Sequence, residues 1–133
     1  MINRVTLVGN LGGDPELKTL PSGRSVCNFS VATHEKWKDK NTSELREETQ
    51  WHRVVVWGKL AETCGKALYK GRLVYVEGQI KNRTYEKDGS TRFVSEIEAD
   101  EVRFLDKPDR SKQNLDTNDV VEEANNKYAT PFG

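Results

Sequence analysis

The chain has 133 residues and a mass of 15.1 kDa, the size of one domain with at most a short appendage. Lys plus Arg number 21 and Asp plus Glu number 21, so the formal net charge is zero. That excludes a wholesale polycation coating duplex DNA, but leaves room for a basic groove on a neutral body. With 35% hydrophobic and 32% charged residues and a mean hydropathy of −0.79, the chain is lean in core material. Part of it is expected to stay unfolded, or to gain burial by assembly.

Ile2–Gly9 alternates β-branched residues and runs into the turn cluster Gly12-Gly13-Asp14-Pro15, predicting a first strand. A second, Ser25–His34, follows the turn residues Pro21-Ser22-Gly23 and carries Val26, Cys27, Phe29, Val31 and Ala32. Lys36-Trp37-Lys38-Asp39-Lys40 reads as the loop before a third strand, Thr49–Trp57. A short helix is predicted over Leu60–Tyr69, because Leu60, Cys64, Ala67 and Leu68 fall at i, i+4, i+7 and i+8, with Gly71 just beyond. Arg72–Glu86 and Thr91–Phe104 then form a long hairpin around Lys87-Asp88-Gly89-Ser90. Five strands with one helix between the third and fourth predict an all-β chain, a five-stranded OB-fold barrel.

Composition shifts near residue 108. Residues 1–108 hold 18 Lys/Arg against 16 Asp/Glu, whereas 109–133 hold 3 against 5. The latter segment is poor in large apolar residues and cannot offset its ordering entropy, so 109–133 is expected to be a flexible acidic tail on a 1–108 domain. No apolar run is long enough for a transmembrane helix, and Met1–Val8 lacks the features of a signal peptide. Cys27 and Cys64 are isolated and read as small buried hydrophobes. These observations predict a reduced, cytoplasmic chain without membrane contact. No cofactor or metal site is expected: His34 and His52 fall on different elements, and no H-x-x-x-H, G-x-S-x-G or Walker-type motif occurs. Gly9-Asn10-Leu11-Gly12-Gly13 lacks the Lys-Ser/Thr of a phosphate loop and leads to Asp14-Pro15.

On the third strand, alternation places Trp51, Arg53, Val55 and Trp57 on one side and His52, Val54 and Val56 on the other. The valine side suits a core. The other presents two indoles about 20 Å apart, with a guanidinium between them. Lys81, Arg83 and Tyr85 share a face of the hairpin, beside Lys87 and with Arg92 on the returning strand, and Lys36-Trp37-Lys38 embeds a third indole in cations. Cations alone would be an ordinary solvated surface. Rings interleaved with cations match single-stranded nucleic acid, whose bases expose π-faces beside phosphates.

Certain blocks carry a specific likeness: Asn3-Arg4-Val5, Leu7-Val8-Gly9-Asn10-Leu11-Gly12 and Asp14-Pro15-Glu16 near the start, Phe29-Ser30-Val31-Ala32-Thr33 and Thr49-Gln50-Trp51-His52-Arg53-Val54 in the middle, then Trp57-Gly58-Lys59-Leu60-Ala61-Glu62 and Val74-Tyr75-Val76-Glu77-Gly78-Gln79. Over about residues 1–106 the chain resembles the bacterial and mitochondrial-type single-stranded DNA-binding proteins. The resemblance implies sequence-independent binding and protection of single-stranded DNA (ssDNA) in replication, recombination and repair, by a homotetramer of OB domains. It places base stacking on Trp37, Trp51, Trp57 and Tyr85. It also associates His52 with a subunit interface, to which the face shared by Leu73, Tyr75 and Gln79 is suited. Many bacterial members end in acids followed by a Pro-Phe tip that docks on replication and repair proteins. Here Pro131-Phe132 is kept, Gly133 follows it, and the nearest acids are Glu122 and Glu123.

Other readings stay open at this level. Stacking does not read the 2′-OH, so an RNA-binding OB module fits the same residues. A pure assembly protein would bury the tryptophan face, and an enzyme has no motif to support it.

Overall fold

The structure, a computed structural model, describes residues 1–106; the 109–133 segment and its Pro131-Phe132 tip lie outside the described residues. Six strands and one helix follow in the order β1 (Val5–Leu11), β2 (Glu16–Thr19), β3 (Ser25–Lys38), β4 (Leu45–Trp57), α1 (Lys59–Ala67), β5 (Leu73–Lys87) and β6 (Ser90–Phe104). Five strands close a ring, β1-β5-β6-β4-β3, which returns to β1 where Asn10 faces Ala32 and Leu11 faces Val31. The β4–β6 contact is parallel and short, at Val54 opposite Ile97 and Val55 opposite Glu98. The ring is the predicted five-stranded barrel, with the helix between its third and fourth strands.

Closure depends on a missing side chain. A Cβ on Gly9 would lie 2.2 Å from the carbonyl oxygen of Ala32, so only glycine lets β1 approach β3 this closely. Inside the ring, Leu11, Cys27, Phe29, Val31, Val54, Val56, Val74, Val76, Ile97 and Phe104 pack together, with Ala61, Cys64 and Ala67 of α1 against them. Burial pushes the Cys27 thiol up to about 11 and raises that of Cys64 as well. Both thiols stay protonated near neutral pH and act as small apolar core groups.

Three expectations need correction. First, β2 is a sixth strand outside the ring, paired with β3 from Glu16 opposite Asn28 to Thr19 opposite Ser25. All four of its side chains are exposed, so no apolar alternation marked it. Second, the segment read as a loop carrying Lys36, Trp37 and Lys38 is strand: β3 and β4 pair without interruption from Val26 opposite Trp57 to Lys38 opposite Leu45. The Asp39 carboxylate terminates this arm by accepting the backbone N–H of Asn41 (2.8 Å) and Thr42 and pairing with Arg46 (3.3 Å). Those backbone N–H groups hold its pKa below the ordinary value. Third, α1 stops at Ala67, not Tyr69. Leu68 is extended and buried, and its N–H still bonds to the Cys64 carbonyl. The β5–β6 arm closes as predicted, through the two residues Asp88 (φ 52°) and Gly89 (φ 78°), the left-handed pair of a type I′ hairpin turn.

Candidate nucleic-acid interface

The registers of β2, β3 and β4 arrange the outer face of the barrel in rows. Lys18, Val26 and Trp57 form one row; Glu16, Asn28 and Val55 the next; then Ser30 with Arg53, Ala32 with Trp51, Lys36 with Glu47 and Lys38 with Leu45. Strand parity therefore gathers Lys36, Lys38, Trp51, Arg53 and Trp57 on one face. Trp51 is 63% exposed. Its ring is nevertheless seated, because a Cβ on Gly12 would fall 2.3 Å from Trp51 Cζ3 and 2.7 Å from Ser30 Oγ. The Cζ3–Cε3 side of the indole thus rests against Gly12 while most of the side chain stays exposed. Gly12 read as a turn residue in the sequence; its role as the bed of Trp51 is visible only in three dimensions.

Trp37 is placed differently. It is 43% exposed and lies opposite Arg46, one residue out of phase with Lys36 and Lys38. It therefore occupies the other face of the β3–β4 ribbon, and the structure does not group it with Trp51. Trp57 is half-buried, and the Arg24 guanidinium sits 4.4 Å from its ring centroid. Nothing local in the sequence singles out Arg24.

On the β5–β6 arm, Lys81, Arg83, Tyr85 and Lys87 share one face with Arg92, which lies directly opposite Tyr85. Tyr85 is 41% exposed, with the Arg83 guanidinium 5.8 Å from its ring centroid. Arg83 is also ion-paired to Glu96. A groove of about 330 Å³ brings Arg53 and Arg83 together over Asn28 and Val55, with Asp14, Glu16 and Glu96 also lining it. The site is therefore a mixed-charge groove flanked by rings. Phe93, 82% exposed on the opposite face of the same arm across from Thr84, is an aromatic that the sequence reading did not single out.

The residues assigned to a subunit interface fall on two surfaces. His52 points with Val54 and Val31; its Nε2 is 2.9 Å from Thr33 Oγ1, and it lines a cavity of about 350 Å³ with Val5, Leu7, Ile80 and Ile97. Leu73, Tyr75 and Gln79 alternate along the outside of β5, where the Tyr75 hydroxyl donates to Glu77 (2.8 Å) and Glu77 pairs with Arg4.

A closed five-stranded ring with a helix between its third and fourth strands, bearing rings and cations on one outer face, defines an oligonucleotide-binding barrel. The model of the single-strand binding protein family matches residues 2–105, and the chain belongs to that family. Among solved structures it is similar to a Plasmodium falciparum SSB in complex with ssDNA, at 38% identity and a TM-score of 0.73, over 80% of this chain and 97% of that one. It is also similar to a deletion mutant of the Thermus aquaticus single-stranded DNA-binding protein, at 31% identity and a TM-score of 0.69. That match covers 79% of this chain and 51% of the other.

Proposed function

We propose that this protein binds single-stranded DNA without sequence preference and without turnover, and so protects it during replication, recombination and repair. The observation that carries this is Trp51: a largely exposed indole, bedded on Gly12 and one row from the Arg53 guanidinium, offers a flat ring beside a cation. Nucleotides need both, the ring for the base and the cation for the phosphate. The ssDNA complex of the Plasmodium falciparum relative supports the same reading. Assembly as a homotetramer belongs to this proposal. It is supported by exposed Val8 beside the Tyr75–Glu77–Arg4 surface, and by the advantage that several grooves on one body hold one strand at high effective concentration. The buried thiols Cys27 and Cys64 are consistent with action in the reducing cytoplasm, at the nucleoid. Docking of replication and repair proteins on Pro131-Phe132 completes the proposal.

Titration of intrinsic tryptophan fluorescence with oligo-dT tests the central claim. Quenching is expected, with affinity falling as salt rises and far exceeding that for duplex of equal length. Equal binding to duplex, or no quenching, would refute it, and tighter binding of oligo-U than oligo-dT would turn the reading toward RNA. Sedimentation showing only 15.1 kDa monomers at micromolar protein would refute the tetramer.

One substitution should strengthen binding. Glu96 holds Arg83 and adds negative charge to the groove. Glu96→Gln frees the guanidinium, so ssDNA affinity at low salt is expected to rise about two- to fivefold, the size of a surface ion pair. Weaker binding would show that Glu96 is needed to orient Arg83.

A further inference from the structure

We propose that Arg24 and Trp57 act as one composite nucleotide platform, in which the guanidinium presents the stacking plane and the phosphate contact while the indole supports it from beneath. The proposal rests on the ssDNA reading and names a contact beyond the four rings. It starts from register. Val26 faces Trp57 across β3 and β4, so Arg24, two residues earlier, is the diagonal neighbour of Trp57 on the same face. The turn that delivers Arg24 is fixed: Leu20 O accepts the Gly23 N–H (2.8 Å), Gly23 takes φ 87°, and the Leu20 N–H donates to Arg24 O (2.9 Å). A turn with Pro at its second position followed by a left-handed glycine holds a hairpin loop in one geometry. On the other side, the Gly58 N–H donates to Ser25 O (2.9 Å), tying the end of β4 to the same turn.

The guanidinium therefore reaches its place 4.4 Å from the Trp57 centroid by construction of the hairpin. This changes what Trp57 can do. A base cannot stack on the ring face that Arg24 covers. A guanidinium, however, is itself a flat surface on which bases stack, and its in-plane N–H groups remain available to a phosphate. Among the described residues no acid pairs with Arg24: its backbone N–H meets Ser22 Oγ, and none of their ion pairs includes it. That separates it from Arg83, which Glu96 engages. At the far end of the face from Lys36 and Lys38, Arg24 supplies the cation that the Trp57 row would otherwise draw from Lys18, itself paired to Glu16 (3.0 Å).

The test uses the full chain and a labelled oligo-dT followed by anisotropy over a salt series, with wild type alongside. Wild-type binding establishes the underlying reading; its absence would sink that reading and the proposal built on it, whereas failure of the Arg24 variants alone would sink only the proposal. Given wild-type binding, Arg24→Ala is expected to weaken affinity about tenfold and to make the log–log salt slope shallower by about 0.7, the value of one lost phosphate on a single strand. Arg24→Lys keeps the charge and loses the plane, so the slope should stay near wild type while affinity falls about threefold. In a Trp57→Leu background, Arg24→Ala should have a clearly smaller effect than alone, because the two groups act as one platform. Near-ultraviolet circular dichroism confirms that each variant is folded. Arg24→Ala binding as tightly as wild type or tighter, or weaker with an unchanged slope, would overturn the proposal; so would equal effects of Arg24→Ala with and without Trp57.

Discussion

Replacing Asp106 with Ala is expected to destabilise the domain by about 3–5 kcal/mol, the cost of breaking a buried ion pair by removing one member. Arg72 is fully buried. Its Nε donates to Asp106 Oδ1 at 3.0 Å, and its Nη1 donates to the Ala67 carbonyl at 2.8 Å, at the C-terminus of α1. The guanidinium also lies 4.5 Å from the Phe104 ring centroid and 5.4 Å from that of Tyr69. Asp106 does further work, since its Oδ2 accepts the Leu73 N–H at 3.1 Å. Burial lowers the Arg72 pKa and the adjacent carboxylate raises it, with burial the larger influence. Arginine stays charged regardless, so without Asp106 the buried guanidinium loses its carboxylate contact and Leu73 loses an acceptor. The interaction joins the start of β5, the end of β6 and the last turn of α1, which makes the loss global. A urea melt should show a lower midpoint with a similar slope. Combining Arg72→Met with Asp106→Asn should recover much of the loss, because no buried charge then remains. A midpoint unchanged in Asp106→Ala would mean that water reaches Arg72 and replaces the carboxylate.

How far the sequence reaches depends on which residues set each feature. The ring was legible because its strands alternate valines and large apolar groups against polar ones, and because Asp88-Gly89 has few uses besides a tight hairpin. β2 was not, since Glu16, Leu17, Lys18 and Thr19 are all exposed, show no apolar alternation and depend on β3 for every ladder bond. The β3–β4 arm was read short because the apolar signal ends at Ala32, whereas the pairing continues through cross-strand neighbours such as Lys36 and Glu47 to the turn that Asp39 closes. That extension also settles which way Trp37 faces: parity counted along an unbroken strand sends it away from Trp51. The cations of the site were visible one by one, but their counterpart acids were not. Glu96 meets Arg83 only because β6 returns beside β5. Arg24 escaped for a related reason, since its neighbour Trp57 is remote in sequence and adjacent only through the register of two strands.

The largest effect on binding should come from Trp51 and from the glycine beneath it. Trp51→Ala is expected to cost about 1–3 kcal/mol in ssDNA affinity, or about 5- to 150-fold, if one base stacks on the indole. Gly12→Ala leaves the indole in place chemically but removes its bed. The new Cβ would lie 2.3 Å from Trp51 Cζ3 and 2.7 Å from Ser30 Oγ, closer than such atoms pack, so the ring must swing off the barrel. The ring is then free and disordered, and a base that captures it must bear the cost of ordering it. Affinity should therefore fall toward the Trp51→Ala value although every aromatic remains, and the tryptophan emission of the free protein should shift to the red. Gly13→Ala is the matched control: a Cβ there meets nothing within 4 Å, so binding and emission should stay at wild type. In the Trp51→Ala background, Gly12→Ala should add little further loss, because the group it displaces is already gone. Were Gly12→Ala to bind as wild type while Trp51→Ala did not, the seated orientation of the indole would be irrelevant, and any exposed indole at that row would serve.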